Sequence, residues 1–375
     1  MKTITILLSN SLDRPVIRNR IIPIIEKSIE KKYKIKIISN DDKKLDNNYT
    51  KLEHISYKMP FNIPKNFIAR GFMELFYTKY VLKKVYKIKS DILIITIPSI
   101  FNLIFCKKFK GKQKQVLDIR DLTWEYLEDK FIIQRSIKLF FRKVFKNKIN
   151  YFDAISCSNK YEYKYIKNLY KNQCNIFLYS NGISQKQFNE LNEIKEDDNK
   201  YEKISISYIG NLGIAQNLET FIKVSKLWPN IRFNIIGEGK DFKRLLKLSK
   251  GCENLSFFGK LGWSEIKSIY KKTNILYAQL SKNFSGAVPS KLYEYLATGK
   301  FIIYGGSGEA EKVLKDFNNN FVISPDNASE LNKALEKIIE EKLYKNFSEK
   351  NKEKIESNYI RDKNIENLFK YINSN

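Results

Sequence analysis

The stretch Gly286–Gly306, GAVPSKLYEYLATGKFIIYGG, reads as a helix that stops and turns straight into a buried strand. Pro289 suits a first-turn position, which predicts a helix from about Ser290 to Thr298 with Gly299 as its stop. At helical spacing Leu292, Tyr293, Leu296 and Ala297 form the buried face, and Lys291, Glu294, Tyr295 and Thr298 share the other. FIIYGG then follows as a continuous apolar run, the pattern of a parallel strand covered on both faces. Lys291 is the odd residue. The amino end of a helix already carries partial positive charge, so a lysine in the first turn is mildly unfavourable there. Two readings stand: an ordinary surface ion pair with Glu294, worth about 0.2–0.5 kcal/mol, or an anion seated at the helix start, held by lysine and helix dipole together.

The same helix–strand alternation runs through the chain in both directions. TITILL, IKIIS, ILIITI, QVLDI, AISCS and IFLYS are the candidate strands of the first half. ISISYIG, RFNIIG, LSFFG, ILYAQL, FIIYGG and FVIS are those of the second, with helical segments between them. Repeated βαβ units predict an α/β fold of two doubly wound, Rossmann-like domains, with the ligand in the cleft between them. The polar stretch NEIKEDDNKYEK (192–203) has no apolar period and reads as the linker. The expected division is an acceptor-binding domain over 1–185, with a helix at about 360–375 packing back on it, and a donor domain over 200–359.

With 375 residues and 43% hydrophobic content, the chain has material for two ordinary cores. Its formal charge of +27 points to an anionic partner, although the excess is mostly lysine amid abundant Ile, Asn and Tyr, a mixture that an AT-rich genome produces unselected. Cys106, Cys157, Cys174 and Cys252 are scattered, which argues against zinc knuckles and disulfide frameworks and for a reducing compartment. MKTITILLSNSLDR reads as a first strand rather than a signal peptide. ILIITIPSIFNLIFC (92–106) is too short to span a bilayer and is broken by Pro98, so a soluble or peripheral cytoplasmic protein is expected.

His54 is the only histidine, no Asp-x-Asp pair occurs and no G-x-x-x-x-G-K-[ST] loop occurs. Histidine-based nucleophiles, a metal-held diphosphate and an ATPase site are thereby disfavoured. Phosphate binding by backbone, helix ends and lysine remains. Glycines fall where three second-half strands end: Gly210 and Gly213, Gly237 and Gly239, Gly259 and Gly262. In βα turns glycine is common, but the recurrence points to close backbone approach and N–H groups facing a nucleotide.

PSKLYEYLATGK, preceded in order by YIGNLGIAQNL, IIGEG and LSFFGKL, resembles the C-terminal donor domain of retaining glycosyltransferases of family four, with the GT-B fold, in their bacterial surface-polysaccharide form. VLDIRDLTWEYL (116–127), DAISCSNKYEYKYI and the SNGI element add to the resemblance in the first half. It implies a sugar transferred, with retention, from a nucleotide-sugar, foremost a UDP-sugar, to a lipid-linked or glycan acceptor. No metal cofactor is implied; the nucleotide-sugar is a substrate. Position by position, the ribose-binding glutamate falls on Glu294 and the acidic residue on the acceptor side on Asp121. The donor loops fall on Gly210, Asn211, Gly213 and Gln216, on Gly237 and Glu238, on Gly259, Lys260 and Leu261, and on Ser285, Gly286, Ala287 and Ser290. Gly286 stands where the family has the first of two glutamates, and Asn211 and Gln216 stand where it has Arg and Lys. SNSLDRPVIR replaces its N-terminal glycine-rich loop. The phosphate charge then falls to Lys291, helix ends and Arg120 or Arg14.

Asp121 has two open readings, orienting or deprotonating an acceptor hydroxyl, or a structural carboxylate paired with Arg120 or capping LTWEYLEDK. FIIQRSIKLFFRKVFKNK (131–148) places Ile133, Ile137, Phe140, Phe141 and Val144 on one helical face and Arg135, Lys138, Arg142 and Lys146 on the other. With FNIPKNFIARGFMELFYTKYVLKK (61–84), it is either a domain helix packed on the sheet or a helix lying in an anionic membrane interface. The charge and the resemblance favour peripheral docking on the membrane's inner face. Nucleic acid is not expected, because no dense arginine patch or stacking-aromatic motif occurs. A nucleotide-sugar 2-epimerase and a non-catalytic basic binding protein are the alternatives.

Overall fold

Predominantly apolar runs become the central strands, as burial on both faces requires. The computed structural model describes all residues except 1, 9–14, 41–51, 58–66, 98–99, 109–112, 128, 130, 171–174, 196–202 and 374–375. The chain divides into two units, residues 1–181 with 361–375 and residues 182–360.

In unit 1 the order is β1 (Thr3–Leu7), α1 (Pro15–Glu30), β2 (Lys34–Ser39), β3 (Leu52–Ser56), α2 (Phe67–Val85), β4 (Ile92–Ile97), α3 (Ile100–Phe105), β5 (Lys114–Ile119), α4 (Ile132–Lys148), β6 (Ala154–Cys157), α5 (Lys160–Tyr170) and β7 (Asn175–Leu178). The strands form one seven-stranded sheet, β3-β2-β1-β4-β5-β6-β7, parallel throughout. Val81, Leu82 and Val85 of α2, Leu103 of α3, Phe141 and Phe145 of α4 and Ile166 of α5 share one apolar cluster with Ile95 and Leu117. Ile21, Ile24 and Ile25 of α1 belong to another, with Ile4, Ile6 and Ile94. β3 is the strand that the apolar-run reading leaves out. It lies at the sheet edge and its residues are half-buried or exposed, so LEHIS has no need of an apolar run.

Unit 2 contains α6 (Gln185–Asn192), β8 (Ser205–Ile209), α7 (Glu219–Ser225), β9 (Arg232–Ile236), α8 (Phe242–Leu248), β10 (Leu255–Gly259), α9 (Trp263–Lys272), β11 (Ile275–Gln279), α10 (Ser290–Ala297), β12 (Phe301–Gly305), α11 (Glu309–Leu314), β13 (Asn320–Ile323), α12 (Ala328–Glu340) and α13 (Glu349–Asn358). Its sheet is six-stranded and parallel, β10-β9-β8-β11-β12-β13. Strand order reverses between β8 and β11, the switch point at which doubly wound sheets bind ligands. The chain then returns to unit 1 as α14 (Arg361–Asn364) and α15 (Glu366–Asn373), where Leu368, Phe369 and Ile372 join the cluster of α1. The division at 181/182 precedes the polar stretch 192–203, so α6 is part of unit 2.

α10 stops as its sequence dictates, with Thr298 as C-cap and Gly299 at φ +74°. Pro289 sits one place earlier than expected, as the N-cap in extended conformation. The two-faced reading of this helix needs correction: Glu294, Tyr295 and Thr298 are buried together with Leu292, Tyr293, Leu296 and Ala297. α4 also differs. Phe141 and Phe145 face the core, and so does Lys138, whose Nζ donates to Leu127 O at 3.3 Å and Asp129 Oδ2 at 3.2 Å. Arg142 is taken by Glu125. Six large apolar side chains stay outside among the exposed basic and polar ones of this segment: Phe131, Ile132 (84% exposed), Ile133, Ile137, Leu139 and Phe140.

Candidate active site

The switch point of unit 2 is built by two loops, one after β8 and one after β11. They are joined to each other. Gln279, the last residue of β11, is 1% exposed, and its Nε2 donates to Gln216 O (3.0 Å), Asn217 O (2.9 Å) and Asp326 Oδ1 (3.1 Å). Ser281 N donates to Ala215 O at 2.8 Å. Tyr295 fixes the helix to the strand: Ile209 N donates to its hydroxyl at 2.8 Å, and the hydroxyl lies 3.2 Å from Ile209 O. The second turn of α10 is thus tied to the end of β8 through groups far apart in sequence.

Lys291 turns toward the site. Its Nζ donates to Glu294 Oε2 at 2.8 Å, and its side chain is 29% exposed. Tyr270 of α9 donates to the same oxygen at 2.9 Å, and burial with the neighbouring carboxylate pushes the Tyr270 hydroxyl well above its ordinary value. Both bonds converge on Oε2, and Oε1 has no protein hydrogen bond among the described residues. The pair is therefore more than a surface ion pair: a buried carboxylate is held in one rotamer by a tyrosine and a cation, with one oxygen left for a hydroxyl donor.

Two of the glycines are required by backbone packing between the loops. A Cβ on Gly237 (φ +139°) would fall 1.8 Å from Gly210 O, and one on Gly239 would fall 2.1 Å from Leu212 O. The loop after β9 lies directly on the loop after β8, with Gly210 N bonded to Ile236 O and Leu212 N to Glu238 O, each at 2.9 Å. Gly213 N donates to Gln216 Oε1 at 3.1 Å, and Asn211 Nδ2 approaches the same oxygen at 3.4 Å. The N–H groups of Gly210 and Gly213 are thus engaged inside the loops, and Asn211 and Gln216 form a neutral amide clip across one of them. Gly259 (φ +65°) accepts from Gly237 N at 2.7 Å. Glu238 and Lys260 are exposed and Leu261 is half-buried. In the segment before α10, Ser285 O accepts from Glu309 N at 2.8 Å, Ala287 N donates to Phe284 O at 2.9 Å, and Gly286 and Ser290 are half-buried.

In unit 1, Asp121 follows β5. Tyr126 donates to its Oδ1 at 3.1 Å. The turn Thr123–Tyr126 starts from Leu122 with no side-chain cap, so Asp121 does not cap it. Burial raises the Asp121 carboxyl above its ordinary value, against the opposing charge of Arg120 and the Tyr126 bond. Arg120 is buried, and its carbonyl accepts from Ser158 Oγ at 2.9 Å. Arg14 lies outside the described residues. Beneath this edge, sequence reasoning missed a buried cluster: Arg20 on Asp118 (2.6 Å) and Tyr179 O (2.6 Å), with Ser156 also on Asp118. Among the described residues no group of three or more His, Cys, Asp or Glu side chains is placed to hold a metal ion, and no helix is long and apolar enough to cross a membrane.

Two parallel doubly wound sheets in one chain are the GT-B architecture, and known structures share it. Sucrose-phosphate synthase from Thermosynechococcus elongatus superposes with a TM-score of 0.74 at 12% identity, over 99% of each chain. HepE of Anabaena, in complex with UDP, gives 0.70 at 11% over the whole of both chains. WaaG, a glycosyltransferase involved in lipopolysaccharide biosynthesis, gives 0.68 at 13% over 96% of this chain and 98% of its own. At such identities the likeness is one of fold. A search of curated protein sequences finds no match. Residues 190–354 match the family model described as glycosyl transferases group 1, from within α6 to within α13. The chain thus has the GT-B fold, and its residues 190–354 form a domain of the glycosyl transferases group 1 type.

Proposed function

We propose that the enzyme uses a nucleotide-sugar, foremost a UDP-sugar, and transfers the sugar with retention to a lipid-linked or glycan acceptor in cell-surface polysaccharide synthesis, as enzymes of family four do. The observation that carries this reading is the Lys291–Glu294–Tyr270 arrangement at the first turn of α10, beside the switch point. Cleaving a sugar–phosphate bond leaves extra negative charge on the diphosphate. A partly buried ammonium and helix N–H groups act most strongly on charge that develops in the reaction. Glu294 Oε1 is positioned to accept from a ribose hydroxyl, and the switch-point loops supply the wall for the donor. No metal ion is required for charge held in this way. Asp121, raised by burial, is the acceptor-side carboxylate that orients or deprotonates a hydroxyl. HepE has been crystallised with UDP and with UDP-glucose, and WaaG acts in lipopolysaccharide biosynthesis, which favours the same donor and acceptor classes here. The exposed apolar residues of α4, together with Phe72, Phe76 and Tyr80 of α2, support peripheral docking on the inner face of an anionic membrane.

The test is transfer of labelled sugar from a panel of UDP- and GDP-sugars into lipid in membrane extract. Lys291→Ala should lower kcat by about 10²–10³-fold, the usual loss for a group that stabilises transition-state charge. Glu294→Ala should mainly raise KM for the donor. Isomerised free donor without lipid product would instead identify an epimerase, and no turnover of any donor would overturn the reading.

A further inference from the structure

Glu162 stands in the first turn of α5 and is 1% exposed. It is not the cap of that helix, because Asn159 Oδ1 accepts from the Glu162 backbone N–H at 2.9 Å. The glutamate turns back instead. Its Oε2 lies 2.9 Å from Ser158 N and 2.9 Å from Ser158 Oγ, and its Oε1 is buried with no hydrogen-bond partner among the described residues.

Counting protons decides the state of this group. Ser158 Oγ also lies 2.9 Å from Arg120 O, a carbonyl that can only accept, and it receives Asn159 Nδ2 at 3.4 Å. A hydroxyl has one proton to give. If it goes to Arg120 O, the contact between Ser158 Oγ and Glu162 Oε2 needs its proton from the glutamate. A proton on Oε2 satisfies both 2.9 Å contacts of the hydroxyl and leaves Oε1 as a neutral carbonyl oxygen, far less costly to bury unpaired than a charge. No cation is paired with Glu162 among the described residues. The charged and titratable groups that face it are Arg20 of α1, already committed to Asp118, and Asp121 and Tyr126 after β5. Burial first, then the charge of Asp121, push the Glu162 carboxyl well above its ordinary value.

We propose that Glu162 is a neutral carboxylic acid in the folded protein and a positioning residue for Asp121. Its proton closes a bridge from α5 through Ser158 to the Arg120 carbonyl, which locks the ends of β5 and β6 together next to Asp121. Its neutrality spares Asp121 a negative neighbour. The role given to Asp121 rests on the transferase reading above; the protonation of Glu162 does not.

The full-length protein, Glu162→Gln and Asp121→Asn are compared in melting temperature from about pH 5 to about pH 8 and by infrared difference spectroscopy. A folded-state value raised above the unfolded one, about 4.3, means that the folded protein holds a proton the unfolded chain has lost. The stabilising contribution is therefore full below that value and is lost as pH rises toward the folded value. The melting temperature of the native protein should fall relative to Glu162→Gln as pH rises. A protonated-carboxyl band at neutral pH should vanish in Glu162→Gln. Asp121→Asn removes the negative neighbour and should move loss of that band to lower pH; this arm also serves if Glu162→Gln does not fold. In transfer assays the native enzyme should lose kcat on the alkaline side, and Glu162→Gln should keep it. A pH-independent melting difference with no carboxyl band would overturn the proposal. An alkaline limb identical in both proteins would overturn the positioning role. Absence of any transfer, with band and melting behaviour as stated, would count against the transferase reading and leave the protonation standing.

Discussion

A methyl group on Gly237 would overlap the carbonyl of Gly210, and the residue's φ of +139° is one that side chains other than hydrogen resist. Gly237→Ala should cost at least the 1–3 kcal/mol of a strained backbone, more once the two loops are pushed apart. Chemical denaturation reads that loss. If the loop after β8 walls the donor, KM for the nucleotide-sugar should rise with it. The glycine recurrence was visible in the sequence, but the backbone packing that fixes Gly237 and Gly239 was not. IIGEG shows two glycines after a strand, and only the three-dimensional neighbour, a backbone carbonyl from another strand end, shows why they cannot be anything larger. The same limit hides Gln279, Tyr270 and Glu162. Gln279 and Tyr270 have partners on other elements, so no local pattern marks them, and Glu162, bonded to Ser158 four residues back, is marked only by the burial that the fold imposes on it. Lys291 and Glu294 were legible for the opposite reason, because a cation in a first turn and a carboxylate three residues on conflict or agree with the local helix itself.

Among the described residues, every strand but β3 was legible from its apolar residues; β7, β10 and β13 also lie at sheet edges but keep a run of apolar side chains, whereas LEHIS mixes polar and apolar. Helix faces were read less well, and α4 shows why. Periodicity gives an apolar stripe without saying which stripe the sheet takes. The core takes Phe141 and Phe145, leaving Phe131, Ile132, Ile133, Ile137, Leu139 and Phe140 outside on a helix with no acidic residue. α2 adds Phe72, Phe76 (68% exposed) and Tyr80, and α3 packs between the two helices. Apolar side chains with lysines and arginines among them match an anionic interface. The double variant Ile132→Ser/Ile133→Ser removes two side chains worth about 1.5–3 kcal/mol each when fully buried. Partitioning onto vesicles rich in anionic lipid should fall at least tenfold, with melting unchanged because both residues are exposed. Salt should weaken the native binding as well. Binding that survives the double variant would remove α4 from the docking face, and self-association lost in its place would identify a second copy as the occupant.

The chain crosses between its two units twice, and the asymmetry has a thermodynamic consequence. Unit 2 is one continuous segment, 182–360, with all six of its strands inside it, whereas unit 1 needs the last fifteen residues, 361–375, to finish one side of its sheet. Ile365, Leu368, Phe369 and Ile372 are each 2% exposed or less and pack with Ile21, Ile24 and Ile25 of α1. Lys27 pairs with Glu366 at 2.6 Å, and the Tyr33 ring lies tilted against that of Phe369. Four large apolar side chains at about 1.5–3 kcal/mol each amount to as much as the whole net stability of an ordinary domain, about 5–15 kcal/mol. A chain ending at Ile360 should therefore lose the folded state of unit 1 and keep that of unit 2. Calorimetry of the intact protein should show the transition of unit 1, and the truncated protein should lack it while retaining that of unit 2, with protease cleavage concentrated before residue 182. The individual variant Phe369→Ala grades the same effect, at about 3–5 kcal/mol for an aromatic removed from a core. If the truncated protein kept both transitions, the C-terminal helices would be accessory to unit 1 rather than part of its core, and folding of unit 1 would not have to wait for the end of the chain.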